Sequence, residues 1–391
     1  MIKYILYVSI LLGNGARLYA QDNITVIGAG RLGLCAALVF EKAGYTVMGI
    51  DINPEYVESL NNKTFASLEP SVNTLLQEST HFKASCSLDE GLNFADIYYI
   101  TVDTPTKTGE DAYDHTNLNR VLTEINKRAV HNKTIVIACT IFPGYIAHTG
   151  NSLIKDCINT TLSYNPSFIA QGNIINGLTT PDMVLIGEAS PEAGDTIEKI
   201  HTTICQNDPH ICRMSSASAE IAKLAVNCYI TTKIAYANMI GDIADQTKDA
   251  DKNAILDAVG KDSRVGSLCL KAGYGFGGPC FPRDNRALGC YASTLGIEPL
   301  IPRATDASNK GHAQFMAQQL LEQNKDLYIF ESVTYKDNCT VPLIEESQKL
   351  AVAALIAQKG KPVVIIDTQP VITEVQKKYG DLFAYTVKTD N

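Results

Sequence analysis

The stretch NITVIGAGRLGLCAALVFEKAGYTVMGID, residues 23–51, places a glycine-rich turn between two apolar runs. The first run, at 24–27, has the length of a buried strand, and apolar residues at helical spacing follow the turn. The second run, at 45–50, ends in Asp51. The order of strand, turn, helix, strand and acid is typical of a doubly wound dinucleotide-binding unit.

The turn contains Gly28, Gly30 and Gly33. These glycines permit a tight turn and let a pyrophosphate approach the helix N-terminus, where free N–H groups and the helix dipole favour anions. Asp51 is expected to accept hydrogen bonds from the adenosine ribose and to repel a 2′-phosphate. Since no Arg or Lys lies between Asp51 and Lys63, the pattern predicts NAD rather than NADP as the cofactor.

Composition limits the class of protein. At 391 residues and 45% hydrophobic, the chain can bury the cores of two or three domains. A net charge of -9 leaves no basic stripe for a phosphate backbone, so nucleic acid is not expected as a partner. The eleven cysteines show no spacing that fits a metal site. Cys205 and Cys212 could close a small loop in an oxidising compartment, but we favour two reduced loop thiols.

Residues 1–22 form an N-terminal extension whose apolar run imitates a secretory signal. The run is too short to span a bilayer, so no membrane partner is expected. A signal and an incidental apolar extension both remain open as interpretations. Because a motif for an intracellular cofactor follows at once, we predict a cytoplasmic location.

Several later segments extend the predicted sheet. Further strands are expected at 96–102, 134–140, 162–168 and 183–187. Ligands of a doubly wound sheet bind at the carboxyl ends of its strands. Thr104, Cys139 and Thr140 follow two of these strands and are therefore candidate contacts to cofactor or substrate. Ordinary strand-end caps are the alternative for each residue taken alone.

From residue 216 to about 250 the chain lacks Pro and, except for Gly241, lacks Gly, which predicts one long helix between domains. Lys223 and Asn227 are four residues apart and share one face of it. A Lys held against apolar groups loses its proton readily, as a base or an oxyanion partner requires. The alternative is that Lys223 extends its ammonium group into solvent.

The rest of the chain predicts a smaller α/β unit without a second glycine-rich fingerprint. We expect helices at about 312–324, 345–359 and 371–379, with the stretch DLYIFESVTYKDN at 326–338 after the first helix and a strand at 362–367. Such a unit indicates a further sheet but does not by itself indicate a ligand.

The stretch GYGFGGPCFPRD, residues 273–284, places Cys280 in a glycine-rich loop that a small substrate can approach closely. Arg283 would help to hold the thiol as thiolate, and Asp284 would oppose this but could position a water. An NAD unit combined with such a thiol indicates oxidation through a sulfur adduct. An aldehyde would form a thiohemiacetal, a second hydride would leave, and water would release an acid.

Eight stretches, taken in order, resemble the UDP-glucose/GDP-mannose (nucleotide-sugar) 6-dehydrogenase family. They are VIGAGRLGL with Asp51, VDTPTKT, CTIFPGY, NPSFIAQG, EIAKLAVN, DSRVG, GYGFGGPCFPRD and YKDNCTVPLIEESQ. The resemblance implies an α/β fold with two Rossmann-like doubly wound domains, joined by a long central helix at which subunits dimerise. The implied boundaries are 23–214 for the NAD domain, 215–311 for the central helical domain with the Cys loop, and 312–391 for the nucleotide-sugar domain.

The resemblance also implies roles for the candidate catalytic residues. Cys280 would carry the thiohemiacetal and the thioester, while Lys223 and Asn227 would serve the C6 oxygen of the sugar. Thr140 and Asp284 would order water. The implied reaction is a four-electron oxidation of a C6 alcohol to a carboxylate with two NAD. The expected substrate is UDP-glucose, the product is UDP-glucuronate, and the expected context is polysaccharide biosynthesis by a homodimer or a higher homo-oligomer.

Contacts to the two ligands complete the expected site. Beyond the glycine turn and Asp51, the expected cofactor contacts are Thr104, Cys139 and Arg283. The expected substrate contacts are Phe168, Gln171, Tyr274, Gly277, Arg264 reaching in from a partner subunit, and Lys336 near the diphosphate. No metal ion is expected.

The chain also departs from the family pattern. Ser167 stands where the family usually has a Glu expected to assist thioester hydrolysis, and Gln171 stands where many members have another Glu. Pro279 replaces a Ser, and Arg283 replaces a Lys. Three hypotheses follow: an active nucleotide-sugar 6-dehydrogenase, a protein that binds NAD and a nucleotide sugar but hydrolyses the thioester poorly, and a two-electron hydroxyacid dehydrogenase that uses Lys223 alone.

Overall fold

The computed structural model describes residues 22–106 and 113–388. The signal-like run of the N-terminal extension and the loop tip at 107–112 lie outside the described residues. Across the described part, no helix is long and apolar enough to cross a membrane. Within the same ranges, no three His, Cys, Asp or Glu side chains lie close enough together to hold a metal ion.

The larger sheet has eight strands in the order β3-β2-β1-β4-β5-β6-β7-β8. Its strands are β1 (Asn23–Ile27), β2 (Thr46–Ile50), β3 (Phe82–Ser85), β4 (Ile97–Ile100), β5 (Thr134–Ile137), β6 (Thr161–Tyr164), β7 (Met183–Glu188) and β8 (His210–Ser215). All neighbours run parallel except β6 and β7, which meet antiparallel at Tyr164 and Gly187. The order reverses between β1 and β4, which is where a doubly wound sheet opens a crevice for ligands.

Helices cover both faces of this sheet, connect it to the rest of the chain and, at α13 and α14, pack on a second sheet near the C-terminus. They are α1 (Arg31–Lys42), α2 (Pro54–Asn61), α3 (Val72–Glu78), α4 (Leu88–Phe94), α5 (Thr116–Lys127), α6 (Asn151–Leu153), α7 (Ile174–Thr179), α8 (Pro191–Ile204), α9 (Ser216–Asp245), α10 (Lys252–Gly260), α11 (Phe281–Thr294), α12 (Leu300–Glu322), α13 (Gln348–Gln358) and α14 (Gln369–Tyr379). One face packs around Ile100, Leu122 and Ile135, and the other around Val26 and Val136.

The predicted long helix is α9, which begins at the expected residue and ends at Asp245 rather than at 250. Ser215 caps it, because its side chain accepts a hydrogen bond from the Ser218 N–H. Glu220 on α9 is fully buried and accepts bonds from the N–H groups of Gly144 at 2.6 Å and Ile146 at 2.9 Å. The loop that follows β5 is thereby attached to the helix.

The C-terminal unit is a parallel sheet in the order β11-β10-β9. Its strands are β9 (Tyr328–Glu331), β10 (Val363–Asp367) and β11 (Ala384–Val387). The predicted two-unit α/β fold is therefore confirmed, and the smaller unit packs its own core around Leu350, Ile356 and Ile365. The expected helix start at 312 is wrong, because α12 begins at Leu300. Pro302 lies in its first turn, where a missing N–H costs nothing.

Cys205 and Cys212 are both free thiols, as favoured, but the expectation that both lie in loops is wrong for Cys212. Cys212 lies within β8, while Cys205 follows the end of α8.

Replacement of Glu220 by Ala tests the attachment between α9 and the loop after β5. The change leaves two backbone N–H groups without their acceptor, so we expect the free energy of unfolding to fall by roughly 2–4 kcal/mol. Urea denaturation followed by circular dichroism measures the loss. Asp257→Ala, at an exposed position of α10, is the matched control, and equal stability of the two variants would contradict the assignment.

Candidate active site

The turn after β1 has the geometry that a bound pyrophosphate needs. Gly28 has φ +93°, and a Cβ on Gly33 would lie 2.0 Å from the Gly28 carbonyl oxygen, so neither position tolerates a side chain. A Cβ on Gly30 would meet nothing within 4 Å, which leaves space for a ligand. Gly30 caps α1 without a side-chain hydrogen bond, and the first turn holds no acid. These residues fit the dinucleotide predicted from the sequence.

Asp51 lies beside this turn. The N–H groups of Gly28 and Ala29 both donate to the carbonyl of Ile50, at 2.8 and 3.1 Å, so the glycine turn and the end of β2 are held together. The Asp51 carboxylate is partly exposed and accepts one bond, from the Asn53 N–H at 3.1 Å. It can therefore still accept from a ribose hydroxyl.

Arg31 was not singled out from the sequence, although it is the first residue of α1. Its Nη1 donates to Oε1 of Gln171 in the loop after β6. The neighbouring Gly172 N–H donates to the buried Glu69 carboxylate at 2.7 Å. The sequence shows that a cation begins the helix after the glycine turn, but it does not show which residue the cation contacts, because that residue is 140 positions away.

Lys223 points into the protein. Only 6% of the residue is exposed, and its Nζ donates to the Ser167 carbonyl at 2.8 Å and lies 4.3 Å from the centre of the Phe168 ring. Burial lowers its pKa, and Arg283 acts in the same direction, while Asp284 and Cys280 oppose them. The alternative in which Lys223 extends into solvent is therefore wrong.

Asp284 connects three segments. It is 1% exposed, and one carboxylate oxygen accepts from the Asn227 side chain on α9 at 2.7 Å. The other oxygen accepts from the hydroxyl of Tyr113, which comes from the loop between β4 and α5. Tyr113 was missed by sequence reasoning because nothing in its local pattern indicates so distant a partner.

Cys280 is the N-cap residue of α11 and is partly buried. Burial is the largest cause of a raised thiol pKa, and Asp284 raises it further. Arg283 and Lys223 lower it, as expected of cations, but they are outweighed. Arg283 and Asp284 thus act on the thiol in the expected directions, but burial outweighs Arg283 and the net pKa of Cys280 is raised.

Arg283 joins α11 to the ends of β4 and β5. Its Nη1 donates to the Thr104 carbonyl at 3.2 Å, and the Thr104 hydroxyl donates to the Thr140 carbonyl at 2.7 Å. The Arg283 Nε is buried without a hydrogen-bond partner. Cys139 is buried beside them, and burial raises its pKa to about 12, so its thiol is unreactive.

The glycine-rich loop is held against the C-terminal unit. Gly278 has φ +88°, and a Cβ there would lie 2.3 Å from the Tyr335 ring. A Cβ on Gly277 would lie 2.4 Å from the Glu346 carbonyl oxygen. Tyr274 is 38% exposed on the same loop, and the Nζ of Lys336 lies 5.7 Å from the Tyr335 ring centre. Tyr274 and Gly277 therefore share a loop with Cys280, and Lys336 lies beside the tyrosine that this loop contacts. Their roles as substrate contacts stay a prediction.

Arg264 is the predicted residue that the single chain does not bring to the site. It follows α10, its side chain is 87% exposed, and it pairs with Asp262 at 2.7 Å. The nearby carbonyls of Val265 and Gly266 accept from Lys233 on α9, both at 2.9 Å.

The site combines a buried lysine, a thiol at the start of a helix and a carboxylate that accepts two hydrogen bonds. Such a set of groups is suited to acid–base chemistry combined with covalent catalysis. The glycine turn beside them is suited to a dinucleotide.

Comparison with known proteins supports this description. Relatives include UDP-glucose 6-dehydrogenase of Rickettsia bellii, 28% identical over 76% of this chain and 69% of the relative. A UDP-glucose 6-dehydrogenase of Bacillus subtilis is 31% identical over 68% of this chain and 61% of the relative. GDP-mannose 6-dehydrogenase of Pseudomonas savastanoi is 26% identical over 88% and 81%. A UDP-glucose dehydrogenase structure from Pyrobaculum islandicum shares the fold, with TM-score 0.87 and 24% identity over 96% of this chain and 88% of that one.

Two models of a single family match the chain. The UDP-glucose/GDP-mannose dehydrogenase family, NAD binding domain, matches residues 22–205, and the central domain of the same family matches residues 217–311. Because these matches together cover well over half of the sequence, the chain belongs to the UDP-glucose/GDP-mannose dehydrogenase family of NAD-dependent nucleotide-sugar 6-dehydrogenases.

Proposed function

We propose that the chain oxidises the C6 alcohol of UDP-glucose to the carboxylate of UDP-glucuronate through a thioester on Cys280. The observation that carries this proposal is the contact between α9 and the start of α11: Asn227 donates to Asp284 at 2.7 Å, and the Asp284 N–H donates to the Cys280 carbonyl at 2.8 Å. The buried Lys223 lies one helical turn before Asn227. UDP-glucose is preferred as substrate because several relatives bear that name. Family membership also disfavours the two-electron hydroxyacid hypothesis.

In the first oxidation Lys223 acts as the base. Its lowered pKa makes the neutral amine more accessible near physiological pH, and this amine accepts the proton of the C6 hydroxyl as the alcohol becomes an aldehyde. NAD, when bound, supplies the hydride acceptor for both oxidation steps. Asn227 keeps Asp284 oriented through its side-chain amide.

In the second oxidation Cys280 acts as the nucleophile. A C–S bond forms at the aldehyde carbon as the thiol loses its proton, and the carbonyl oxygen gains a proton to give a thiohemiacetal. Loss of that proton and of a second hydride leaves a thioester. Water then attacks the thioester carbon, the C–S bond breaks, and the carboxylate and the free thiol result. Lys223 and Arg283 supply nearby positive charge for the thiolate that forms.

Hydrolysis is the step that this chain supports least. Ser167 offers no carboxylate to activate water, and both oxygens of Asp284 already accept hydrogen bonds. A second candidate function is therefore a protein that binds both ligands and forms the thioester but releases the product slowly.

We further propose that two copies pair along α9. Tyr229, Tyr236 and Ile243 recur at intervals of seven residues and are 68%, 48% and 56% exposed, with Met239 at 44% between them. A regular apolar stripe of this kind is typical of a helix that packs on a partner. Arg264 lies on a loop bonded to α9 within the same region, so pairing would place it near a neighbouring subunit.

Replacement of Cys280 by Ala removes the only group proposed to hold the aldehyde. We expect formation of the acid from UDP-glucose to fall by about 10³-fold or more, while the NADH dissociation constant is unchanged. NADH absorbance and product mass spectrometry measure the change. Cys157→Ala, at a partly buried thiol beyond the opposite end of the sheet, is the control. Wild-type acid formation by Cys280→Ala would contradict the mechanism.

Replacement of Ser167 by Glu restores a carboxylate next to the site. In rapid mixing, the wild-type protein should give a burst of about two NADH per site and then a slower steady rate, as expected when deacylation limits turnover. Ser167→Glu should raise the steady rate by about tenfold without enlarging the burst. Ser167→Gln is the isosteric control without a base. A steady rate that is equal in both variants would show that hydrolysis does not depend on this carboxylate.

The double change Tyr229→Asp and Tyr236→Asp tests the proposed dimer. Charges on the stripe should prevent pairing, so light scattering after size exclusion should report the 42.4 kDa mass of one chain. Ile158→Asp, which alters an apolar side chain 58% exposed outside α9, should leave the oligomer intact. An unchanged mass in the double variant would exclude α9 as the interface.

A further inference from the structure

The loop that leaves β4 returns to the site at Tyr113. Thr106 and Tyr113 form an antiparallel bridge, and the Asp114 N–H donates to the Pro105 carbonyl at 2.7 Å. This backbone pairing between the two ends of the loop places the Tyr113 ring in the interior, where the residue is 4% exposed. The ring is therefore oriented by its own loop as well as by its contacts to α11.

Tyr113 makes two polar contacts with α11. Its hydroxyl donates to Asp284, and its ring centre lies 4.9 Å from the guanidinium carbon of Arg283. Burial holds its pKa well above the ordinary value, so the phenol remains a donor. A cation over a buried aromatic ring is a favourable contact. One side chain of the dinucleotide-binding unit thus contacts both charged residues next to the nucleophile.

We propose that Tyr113 is a positioning residue for the reaction, with its hydroxyl holding Asp284 and its ring holding Arg283 beside Cys280. The assignment rests on the proposed function for the role of Cys280 as nucleophile. It goes beyond that function because it gives a role to a loop residue outside the proposed mechanism.

The charged and titratable groups that influence Cys280 come from three parts of the fold. Asp284 and Arg283 lie on α11, Lys223 on α9, and Tyr335 in the C-terminal unit. Without the Tyr113 hydroxyl, the Asp284 charge is less compensated. The Arg283 Nε lies 3.9 Å from Asp284, and the Tyr113 ring, which Tyr113→Phe keeps, still contacts the guanidinium group.

The less compensated charge of Asp284 acts directly on Cys280 and raises the thiol pKa. Loss of the ring contact to Arg283, which only Tyr113→Leu removes, raises it further. Loss of the hydroxyl should therefore reduce the reactivity of the thiol at neutral pH, whereas a purely structural role for Tyr113 would leave that reactivity unchanged.

The test compares Tyr113→Phe, which keeps the ring, with Tyr113→Leu, which removes it. Tyr145→Phe is the matched control, because Tyr145 is 5% exposed and its hydroxyl donates to Asn119 at 2.6 Å. Alkylation of Cys280 by iodoacetamide is followed across pH by peptide mass spectrometry, and NADH binding is followed by fluorescence. Neither assay contains a sugar, so the result is independent of the proposed substrate.

We expect Tyr113→Phe to slow alkylation at neutral pH by about threefold or more and to shift the profile to higher pH. NADH affinity should stay within about twofold for Tyr113→Phe but fall about fivefold for Tyr113→Leu, because Arg283 loses its ring contact. An alkylation profile of Tyr113→Phe equal to that of Tyr145→Phe would overturn the proposal, as would unchanged NADH binding by Tyr113→Leu. Absence of UDP-glucose oxidation with these effects intact would instead count against the proposed function.

Discussion

Asp284 is almost completely removed from water, and a carboxylate in that position is stable only if hydrogen bonds replace its hydration. The two donors are Asn227 from the long helix and Tyr113 from a loop of the dinucleotide-binding unit. Satisfying one buried charge therefore requires three distant segments to meet. The same meeting places Cys280 at the start of α11 beside Lys223, so the position of the candidate nucleophile depends on this buried carboxylate.

The resting protonation states follow from the same burial. Removal from water lowers the pKa of Lys223 and raises the pKa of Cys280, so both shifts favour the neutral forms. A neutral amine and a neutral thiol are cheaper to bury than an ion pair. In the proposed mechanism, Lys223 gains positive charge as it accepts the proton of the alcohol, and this charge then lies near the sulfur that attacks carbon.

Local pattern predicted the parts of the fold that depend on near neighbours. The turn between 28 and 33, the strand ending at Asp51 and the start of α9 all follow from glycines, apolar spacing and capping. Long-range contacts had no such signal, as the pairing of Arg31 with Gln171 and of Tyr113 with Asp284 illustrates. The net direction of the Cys280 pKa shift had no signal either, because sequence shows that Arg283 and Asp284 are near but not how deeply the thiol is buried.

In the proposed mechanism, the side chain at position 167 affects one chemical step and leaves the others in place. The contribution of Ser167 to the site is the backbone carbonyl that accepts from Lys223, and a carbonyl is present whatever the side chain is. Replacing a Glu by Ser therefore leaves the lysine in place for the oxidation steps. Only the hydrolysis of a thioester would need the missing carboxylate. Because the contact to Lys223 uses the backbone at position 167, a change of this side chain can alter the proposed hydrolysis step without removing the contact.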